Sequence, residues 1–402
     1  MHSGENSDGA AKGKLMSQVE IQPELNFLSE LYVQDAPQAR LLAEYPSSNS
    51  TETEFQNRSK YIIHDPFPPP RRELIKVLGP HHLMCGWGRR LDVTSEIAPQ
   101  KILLDHWEKT FGIEGRPNWQ PFAANGDYIT LFPHESLAAP HQVIDPEVNY
   151  AIHSKEVIAK IDCPQADVLD AIVPPCIVKL SHGYAGLGNF MIQEASDEVK
   201  MQAQLTAHWP DATLVINSII GNVTDDFGVQ FYLRRNGSIV WLGLTEQLFD
   251  ENKRWRGGMF SDHLQTELFD DLCRMIEPAA QYLHGCGYFG LVGIDILRDE
   301  SKQLFLVDVN PRLTGISPFL MASRIFARDL GLSKGIYQAS CQFSGSLEQL
   351  IGSIEEIQDA KVVVLSAFEE TIGEQASTLC HLSVTSDSQG RNQQILKQLL
   401  QS

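Results

Sequence analysis

Short apolar segments alternate with glycine, proline and polar turns along most of the second half of the chain. Their length of about four to eight residues favours strands, and Asn236-Gly237 between two of them is a strong hairpin signal. An amphipathic stretch from about 265 to 283 predicts a helix that packs on these strands, and the C-terminus predicts a terminal helix. The pattern indicates an α+β protein. The predicted strands cover 177–180, 190–192, 213–220, 229–233, 239–244, 291–297, 304–309, 361–365 and 381–385.

The N-terminal part of the chain is less regular. Residues 1–59 predict a flexible tail and a polar linker, with only weak helical periodicity. Residues 60–150 alternate helical and strand-like stretches, of which 128–132 is the clearest strand, so they predict a small α/β domain. A helix is expected over 153–161, with Lys155 in its first turn.

Composition excludes several classes of protein. The chain has 402 residues, and its net charge of -19 would repel a polyanion, so we expect neither nucleic acid nor an anionic membrane as a partner. A small phosphorylated ligand stays open, because a pocket in an acidic protein can be locally positive. No stretch reaches the roughly 18 consecutive apolar residues of a membrane span, and the N-terminus lacks the apolar core of a secretory signal. Seven scattered cysteines without a CxxC pair favour a reducing, cytoplasmic location.

One segment combines strand periodicity with side chains that bind metals. A period of two places Asp308 and Asn310 on one strand face together with Leu306, and a tight turn after the preceding strand brings Asp295 opposite or close to Asp308. Two carboxylates in a half-buried sheet repel each other, and a divalent cation removes that penalty. Two Asp and one Asn are hard oxygen ligands that suit Mg²⁺, and Arg312 is placed to reach a phosphoryl oxygen. The alternative is a hairpin whose Asp308 is solvated.

A second segment has the composition of a phosphate-binding turn. Lys179 ends a predicted strand and is followed by SHGYAGLGN, whose glycines (183, 186 and 188) let backbone N–H groups face phosphate oxygens beside the ammonium group. The GxxGxG spacing is neither the GxGxxG of a dinucleotide-binding fold nor the GK[ST] of a P-loop, so a Rossmann-type oxidoreductase is disfavoured. The alternative is a hairpin whose glycines serve only the turn.

Taken in chain order, these segments resemble the ATP-grasp superfamily, the ligases that hold ATP between two α+β subdomains. The resemblance covers about 143–330 and includes Ser154-Lys155 near a helix start, the segment 214–219 and the sequence GIDILRDESKQLFLVDVNPR. It implies an α+β ATP-grasp fold preceded by a small α/β pre-ATP-grasp domain. The implied organisation is a tail and linker at 1–59, a pre-ATP-grasp domain at 60–150, an ATP-grasp domain at 151–331 with a lid at about 173–218 and a catalytic subdomain at about 219–331, and a C-terminal α/β extension at 332–402.

The resemblance also implies ATP and Mg²⁺ as cofactors and gives individual residues a role. The residues assigned to ATP are Lys155, Lys179, Ser181, Gly183, Gly186, Gly188, Asn217 and Ser218. The residues assigned to the metal are Asp295, Asp308 and Asn310, and those assigned to catalysis are Lys179, Arg312 and Arg256. Arg256 would bind a substrate carboxylate, unless its segment is only an exposed basic loop. Two positions depart from the family pattern: only Asn217-Ser218 stands where a hinge acid often contacts the ribose, and Asp308 stands where glutamate is more usual.

The chemistry that the resemblance implies is an ADP-forming ligation. A small-molecule carboxylate would attack the γ-phosphate to give an acylphosphate, and an amine, expected to be an amino acid, would then displace phosphate and form an amide. The loop at 181–189 would exclude water from the acylphosphate. Two rivals remain open: a ligase that joins a phosphorylated enol or carbonyl to an amino acid or a carboxylate to a thiol, and a non-catalytic ATP-binding protein. A homodimer is expected only at the level of the family.

Overall fold

A computed structural model describes the chain over residues 19–22, 27–46, 55–64, 91–96, 98–112, 118–183, 188–251, 253–372 and 375–401. In chain order the strands of these ranges are β1 (Val19–Ile21), β2 (Arg40–Leu42), β3 (Asp92–Thr94), β4 (Asn118–Trp119), β5 (Tyr128–Thr130), β6 (Cys176–Leu180), β7 (Asn189–Ile192), β8 (Leu214–Ser218), β9 (Val223–Leu233), β10 (Ile239–Phe249), β11 (Trp255–Ser261), β12 (Gly290–Asp299), β13 (Leu304–Asn310), β14 (Lys334–Phe343), β15 (Lys361–Ile372) and β16 (Gln375–Ser386). The helices are α1 (Leu28–Asp35), α2 (Lys101–Phe111), α3 (Pro146–Ile152), α4 (Ala195–His208), α5 (Asp262–Glu267), α6 (Phe269–Gly285), α7 (Ser317–Leu330), α8 (Leu347–Glu355) and α9 (Gln389–Gln401), and short 3-10 helices cover Ala139–His141 and Lys155–Lys160.

The largest sheet takes its strands from both ends of the chain. Its neighbouring strands pair antiparallel, and β1 joins β10 in parallel. The Asn236-Gly237 turn connects β9 to β10, with Gly237 at φ +88°, so the predicted hairpin is confirmed. The order of the strands is β13-β12-β9-β10-β11-β14-β16-β15.

Helices cover this sheet because each presents an apolar stripe at helical spacing. In α6, Leu272, Ile276 and Leu283 are buried at intervals of four and seven residues, which is one face of a helix. The helix predicted over 265–283 is therefore present, and it is preceded by the short helix α5. Helix α7 contacts β10 and β14, and α9 contacts β14 and β16, so the sheet and its helices form one core.

Two smaller sheets complete the fold. Strands β2 to β5 form a parallel sheet in the order β4-β3-β2-β5. Strands β6 to β8 form an antiparallel sheet in the order β7-β6-β8, and α4 packs against β7. This last unit has its own apolar core, to which Val178 of β6 and Met201 of α4 belong. The combination of helices with antiparallel and parallel sheets agrees with the predicted α+β class.

The structure differs from the expectation for residues 1–59. Within the described part of that stretch, β1 extends the largest sheet, and Leu28 and Leu31 of α1 are buried in the core. Strand β2 lies inside the parallel sheet, between β3 and β5. Strands of three residues are too short to show a period of two, so the sequence pattern did not reveal them.

The structure also differs from the expected boundary at 331. Strand β14 pairs with β11 and so continues the largest sheet beyond it. Neither β11 nor β14 was predicted, because the glycines in both strands interrupt their apolar character. In addition, the α-helix expected over 153–161 is replaced by a 3-10 helix over Lys155–Lys160, and α3 ends before it at Ile152. Among the described residues, no helix is both long enough and apolar enough to cross a bilayer.

Candidate active site

The β12–β13 hairpin brings the predicted metal ligands together. Asp295 lies directly opposite Asp308, and Asn310 lies opposite Gly293. The Nδ2 atom of Asn310 is 3.5 Å from Oδ2 of Asp295. The predicted pairing of the two carboxylates across the hairpin is therefore confirmed, and Asn310 shares their face of the sheet.

A β-bulge corrects the predicted arrangement of β13. The register passes from the pair Asp295–Asp308 directly to the pair Ile296–Leu306, so Val307 has no opposite residue. Leu306 therefore shares a face with Ile296, on the side away from Asp308, and it is 1% exposed. The expectation that Leu306 and Asp308 share a face was wrong, because the bulge interrupts the period of two.

The two predicted lysines converge on this bulged strand. Lys179 of β6 donates from Nζ to the carbonyl oxygen of Val307 at 3.0 Å. Lys155 donates from Nζ to both carboxylate oxygens of Asp308. The side chains of Lys155 and Asp308 are 11% and 22% exposed, so this ion pair is largely shielded from solvent. Both ammonium groups thus lie on the carboxylate side of the hairpin.

Lys155 is positioned by the end of β6. Its backbone N–H donates to the carbonyl oxygen of Ser181 at 2.8 Å. The hydroxyls of Ser154 and Ser181 are also hydrogen-bonded at 2.8 Å, and Ser154 caps the 3-10 helix by accepting from the N–H of Glu156.

The carboxylates of the hairpin are electrostatically unequal. Burial, followed by the neighbouring Asp308 and Asp226, raises the pKa of Asp295 to about 7. Burial would also raise the pKa of Asp308, but Lys155 and Lys179 outweigh it and hold that pKa below its usual value. Burial lowers the pKa of Lys179. A further cation next to Asp295 would stabilise its ionised form.

The donor atoms suit Mg²⁺, although they do not form a complete cage. Asp295, Asp308 and Asn310 offer oxygen ligands from two adjacent strands, as Mg²⁺ prefers. No group of three or more His, Cys, Asp or Glu side chains in the described part of the chain is arranged to hold a metal by itself. Mg²⁺ commonly completes its shell with water and substrate phosphates, so two carboxylates and an amide are sufficient.

Arg312 follows the hairpin and belongs to the same cluster. Its Nη2 donates to Oδ1 of Asn310 at 3.0 Å, and Nη1 donates to the carbonyl oxygen of Leu313 at 3.0 Å. Its guanidinium carbon lies 5.0 Å from the ring centre of Phe132, in the loop after β5. The arginine is thus held between the β12–β13 hairpin and the loop that follows β5 of the parallel sheet.

Two further residues of the cluster, Asp226 and Gln247, were not predicted from the sequence. Gln247 of β10 donates from Nε2 to Oδ1 of Asp295 at 2.9 Å and is also hydrogen-bonded to Asp226 of β9. Burial raises the pKa of Asp226 to about 6, and its Oδ1 has no hydrogen-bond partner among the described residues. Gly228 lies opposite Asp295, so the period of two from Gly228 to Asp226 was the available signal. It was overlooked because the strand was expected to begin at Val229.

The glycine-rich segment also serves the fold. Ser181 is 1% exposed and uses its hydroxyl for Ser154, and Gly183 forms a bridge to His64. Gly188 has φ +86°, and a Cβ atom at this position would lie 2.5 Å from Cδ1 of Leu180. Only glycine satisfies both conditions without strain. The remaining predicted glycine, Gly186, lies outside the described residues.

Asn217 and Ser218 end β8, where the resemblance placed the adenine contact. Asn217 forms a β-bridge with Val168, and the backbone N–H of Ser218 donates to the carbonyl oxygen of Asp167 at 2.9 Å. The Ser218 hydroxyl accepts from the N–H of Asp167 at 3.0 Å. In this arrangement the Ser218 hydroxyl is already used within the protein.

Arg256 has a different partner from the one the sequence suggested. It lies in β11 and not in a loop, and its side chain is 41% exposed. Its Nε and Nη2 lie 3.0 and 2.9 Å from Oδ2 of Asp250, at the turn between β10 and β11. These contacts connect Arg256 to that turn, and none of its described contacts is with the β12–β13 hairpin.

Comparison with known proteins supports the assignment of the fold. The model of the family described as "L-aspartate--L-methionine ligase, ATP grasp" matches residues 155–310. The [butirosin acyl-carrier protein]--L-glutamate ligase of Niallia circulans is 20% identical over 230 residues, which are 50% of this chain and 52% of that protein. The chain thus spans about half the length of this curated relative.

Solved structures show the same architecture. The N5-carboxyaminoimidazole synthetase of Staphylococcus aureus complexed with ADP has a TM-score of 0.51 at 12% identity, over 77% of this chain and 91% of that one. A second structure of that enzyme also has a TM-score of 0.51 at 12% identity, over 78% and 92% of the two chains. At this identity the likeness shows a shared fold.

The fold is α+β, with the three-stranded sheet of β6 to β8 beside the large, mainly antiparallel sheet in the chain order. Over residues 155–310 the chain matches an ATP-grasp family, and the shared fold agrees with this match. The family match begins at Lys155 and ends at Asn310, so it encloses both lysines and the three candidate metal ligands, whereas Arg312 follows two residues after its end.

Proposed function

We propose that this protein is an ATP- and Mg²⁺-dependent ligase that activates a carboxylate as an acylphosphate and joins it to an amine. The observation that supports this proposal most strongly is the convergence of two lysines on a pair of facing carboxylates. Lys155 and Lys179 reach β13 from separate segments of the chain. On the same hairpin, Asp295 of β12 lies opposite Asp308 of β13. The descriptions of the matched family and of the curated relative, both ligases that act on amino acids, agree with it.

Asp295, Asp308 and Asn310 would hold Mg²⁺, which neutralises charge on the phosphate oxygens when it is bound. Lys155 now occupies both oxygens of Asp308. When the metal and the nucleotide bind, Lys155 would exchange this carboxylate for a phosphate oxygen. Lys179 would likewise exchange the Val307 carbonyl for a phosphate oxygen. Both exchanges would bring a cation to the phosphate.

Asp226 would supply the acid that contacts the ribose. It is the fourth residue of β9, the strand that follows the predicted hinge in the chain, and one of its oxygens has no partner among the described residues. A buried carboxylate oxygen accepts a hydrogen bond from a hydroxyl, and a ribose presents two neighbouring hydroxyls. Asn217 and Ser218 would remain near the adenine through their backbone, since the Ser218 hydroxyl is bonded to Asp167.

The reaction balances without a covalent enzyme intermediate. A carboxylate oxygen attacks the γ-phosphorus, and the bond to the bridging oxygen breaks with its electron pair, which releases ADP. The amine nitrogen then attacks the acyl carbon, phosphate leaves with the C–O electron pair, and the nitrogen loses a proton to solvent. Arg312, next to Asn310, would stabilise the charge on the phosphoryl group. The substrates would be a small-molecule carboxylate and an amine such as an amino acid.

The test is the release of ADP and phosphate from MgATP with a panel of carboxylic acids, each with and without a mixture of amino acids. A ligase releases ADP only when both an acid and an amine are present, and its product is lighter than their sum by one water. If MgATP binds and no acid supports turnover, the protein is a nucleotide-binding protein and not a ligase. Cell fractionation and light scattering test the cytoplasmic location and the homodimer that the resemblance implies.

A further inference from the structure

A buried phenylalanine connects the small parallel sheet to the candidate active site. Phe132 lies in the loop after β5 and is 5% exposed. The guanidinium carbon of Arg312 lies over its ring, 5.0 Å from the ring centre. This distance is within the range of a cation–π interaction, in which the negative face of the ring attracts a cation. The proposed reaction gives Phe132 no role.

The contact with Phe132 joins Arg312 to a distant part of the chain, whereas its two hydrogen bonds are local. Nη2 donates to Asn310, two residues earlier, and Nη1 donates to the carbonyl oxygen of Leu313, the next residue. Local bonds move together with the segment that carries the arginine, so these two bonds cannot fix the guanidinium relative to the rest of the protein. Phe132 belongs to another sheet and provides a surface that is independent of that segment.

The ring of Phe132 is itself held by neighbours from two other segments. Tyr45, in the loop after β2, packs against it with the ring centres 5.7 Å apart. The ring centre of His153, at the end of α3, lies 4.6 Å from that of Phe132. Nδ1 of His153 is 2.7 Å from the carbonyl oxygen of Asn149, whose Nδ2 donates to Oγ1 of Thr130 in β5 at 3.3 Å. The parallel sheet and α3 together therefore determine where the ring lies.

An aromatic partner leaves the charge of Arg312 free to act on a phosphate. A carboxylate would neutralise much of that charge, whereas an aromatic ring attracts the guanidinium and uses none of its N–H donors. On the other contact of the ring, burial lowers the pKa of His153 to about 3, and the nearby Arg312 lowers it further. His153 is therefore neutral near pH 7 and adds no second positive charge beside Phe132.

The position of Arg312 matters most for the terminal phosphate of ATP. In the proposed function this arginine stabilises charge on the phosphoryl group that is transferred, and ADP lacks that group. A small displacement of a charged group at such a site can cost much of its effect, because the interaction depends on distance and direction. A residue that fixes Arg312 should therefore affect ATP and ADP differently.

We propose that Phe132 holds Arg312 in position for the γ-phosphate, so that the small parallel sheet sets the preference of the site for ATP over ADP. This inference rests on the proposed function and assigns the sheet a part in it. Phe132 contacts the guanidinium and not the reacting atoms, so it is a positioning residue and not a catalytic residue.

The test compares two nucleotides that differ in the terminal phosphate. The non-hydrolysable analogue adenylyl imidodiphosphate and ADP are each titrated by calorimetry, with Mg²⁺, into the full-length protein. Phe132→Leu keeps an apolar side chain but removes the aromatic face, so it should weaken the analogue by about 3- to 30-fold and ADP by less than about twofold. Phe132→Tyr keeps the ring and should bind the analogue within about twofold of wild type.

A double-mutant cycle shows whether Phe132 acts through Arg312. In the Arg312→Met background, Phe132→Leu should change the affinity for the analogue by less than about twofold, because the cation that the ring positions is absent. A purely structural role of the ring would weaken binding equally in both backgrounds. Phe55→Leu is the matched control and should bind both nucleotides like wild type. Phe55 is 2% exposed and belongs to a different apolar cluster from Phe132.

The proposal is overturned if Phe132→Leu leaves the affinity for the analogue unchanged, weakens ADP equally, or has the same effect in the Arg312→Met background. It is also overturned if Phe132→Tyr binds as weakly as Phe132→Leu. If Arg312→Met itself binds the analogue like wild type, the proposed role of Arg312 fails together with this inference. Release of ADP with an acid and an amine is measured separately, and a lack of turnover with an intact cycle would refute the ligase and not the positioning role.

Discussion

Asp295→Asn should abolish turnover and at the same time stabilise the free protein. The pKa of Asp295 rises from 3.8 to about 7 on folding, and a difference of about three pH units corresponds to about 4 kcal/mol. The unfolded state loses this proton first, so the carboxylate decreases the free energy of unfolding progressively as the pH rises from about 4 to about 7. Asparagine has the same shape and can still accept from Gln247, but it carries no charge.

The assay is urea denaturation of wild type and Asp295→Asn at pH 5 and pH 8, without Mg²⁺ or nucleotide. The variant should gain on the order of 2–4 kcal/mol at pH 8 and much less at pH 5. Asp225→Asn, on the neighbouring strand β9, is the matched control for Asp295→Asn. Its hydrogen bond from Arg298, at 2.8 Å, lowers its pKa, so its neutralisation should instead decrease the stability at pH 8. Equal gains of Asp295→Asn at both pH values, or full turnover of the variant, would refute the reasoning.

Three further changes test separate parts of the site. Lys179→Met should weaken ATP binding by about 10- to 100-fold through loss of a charged donor, measured by calorimetry, and an unchanged dissociation constant would contradict its role. Gly188→Ala should cost about 1–3 kcal/mol through a positive φ and a contact with Leu180, measured as faster amide exchange in β6. Gly221→Ala, with nothing within 4 Å and no positive φ, should leave that exchange unchanged. Asp226→Asn should weaken ATP by about tenfold but leave 2′,3′-dideoxy-ATP unaffected, and equal loss for both nucleotides would argue against a ribose contact.

Local sequence patterns predicted the hairpin that carries the candidate metal ligands. Alternation, a short polar turn and two acids in apolar strands were enough to place Asp295 opposite Asp308. They could not reveal the bulge at Val307, because a bulge depends on the register between two strands. The bulge also decides that Lys179 meets a backbone carbonyl and not a side chain.

Long-range pairing explains the other differences. Asp226 joins the site only because β9 lies beside β12, which no feature within either segment indicates. The same holds for β14, which joins β11 across more than seventy residues of chain. Sequence patterns identify individual elements, and the contacts between distant elements complete the site.

The most direct test of the ligase is the fate of a carboxylate oxygen. An acid substrate labelled with ¹⁸O in both carboxylate oxygens is incubated with the protein, MgATP and the amine, and the released phosphate is examined by ³¹P NMR. If an acylphosphate forms, one labelled oxygen moves to phosphate and the other stays in the amide. We predict one ¹⁸O per released phosphate, and amide formation with unlabelled phosphate would contradict the acylphosphate mechanism.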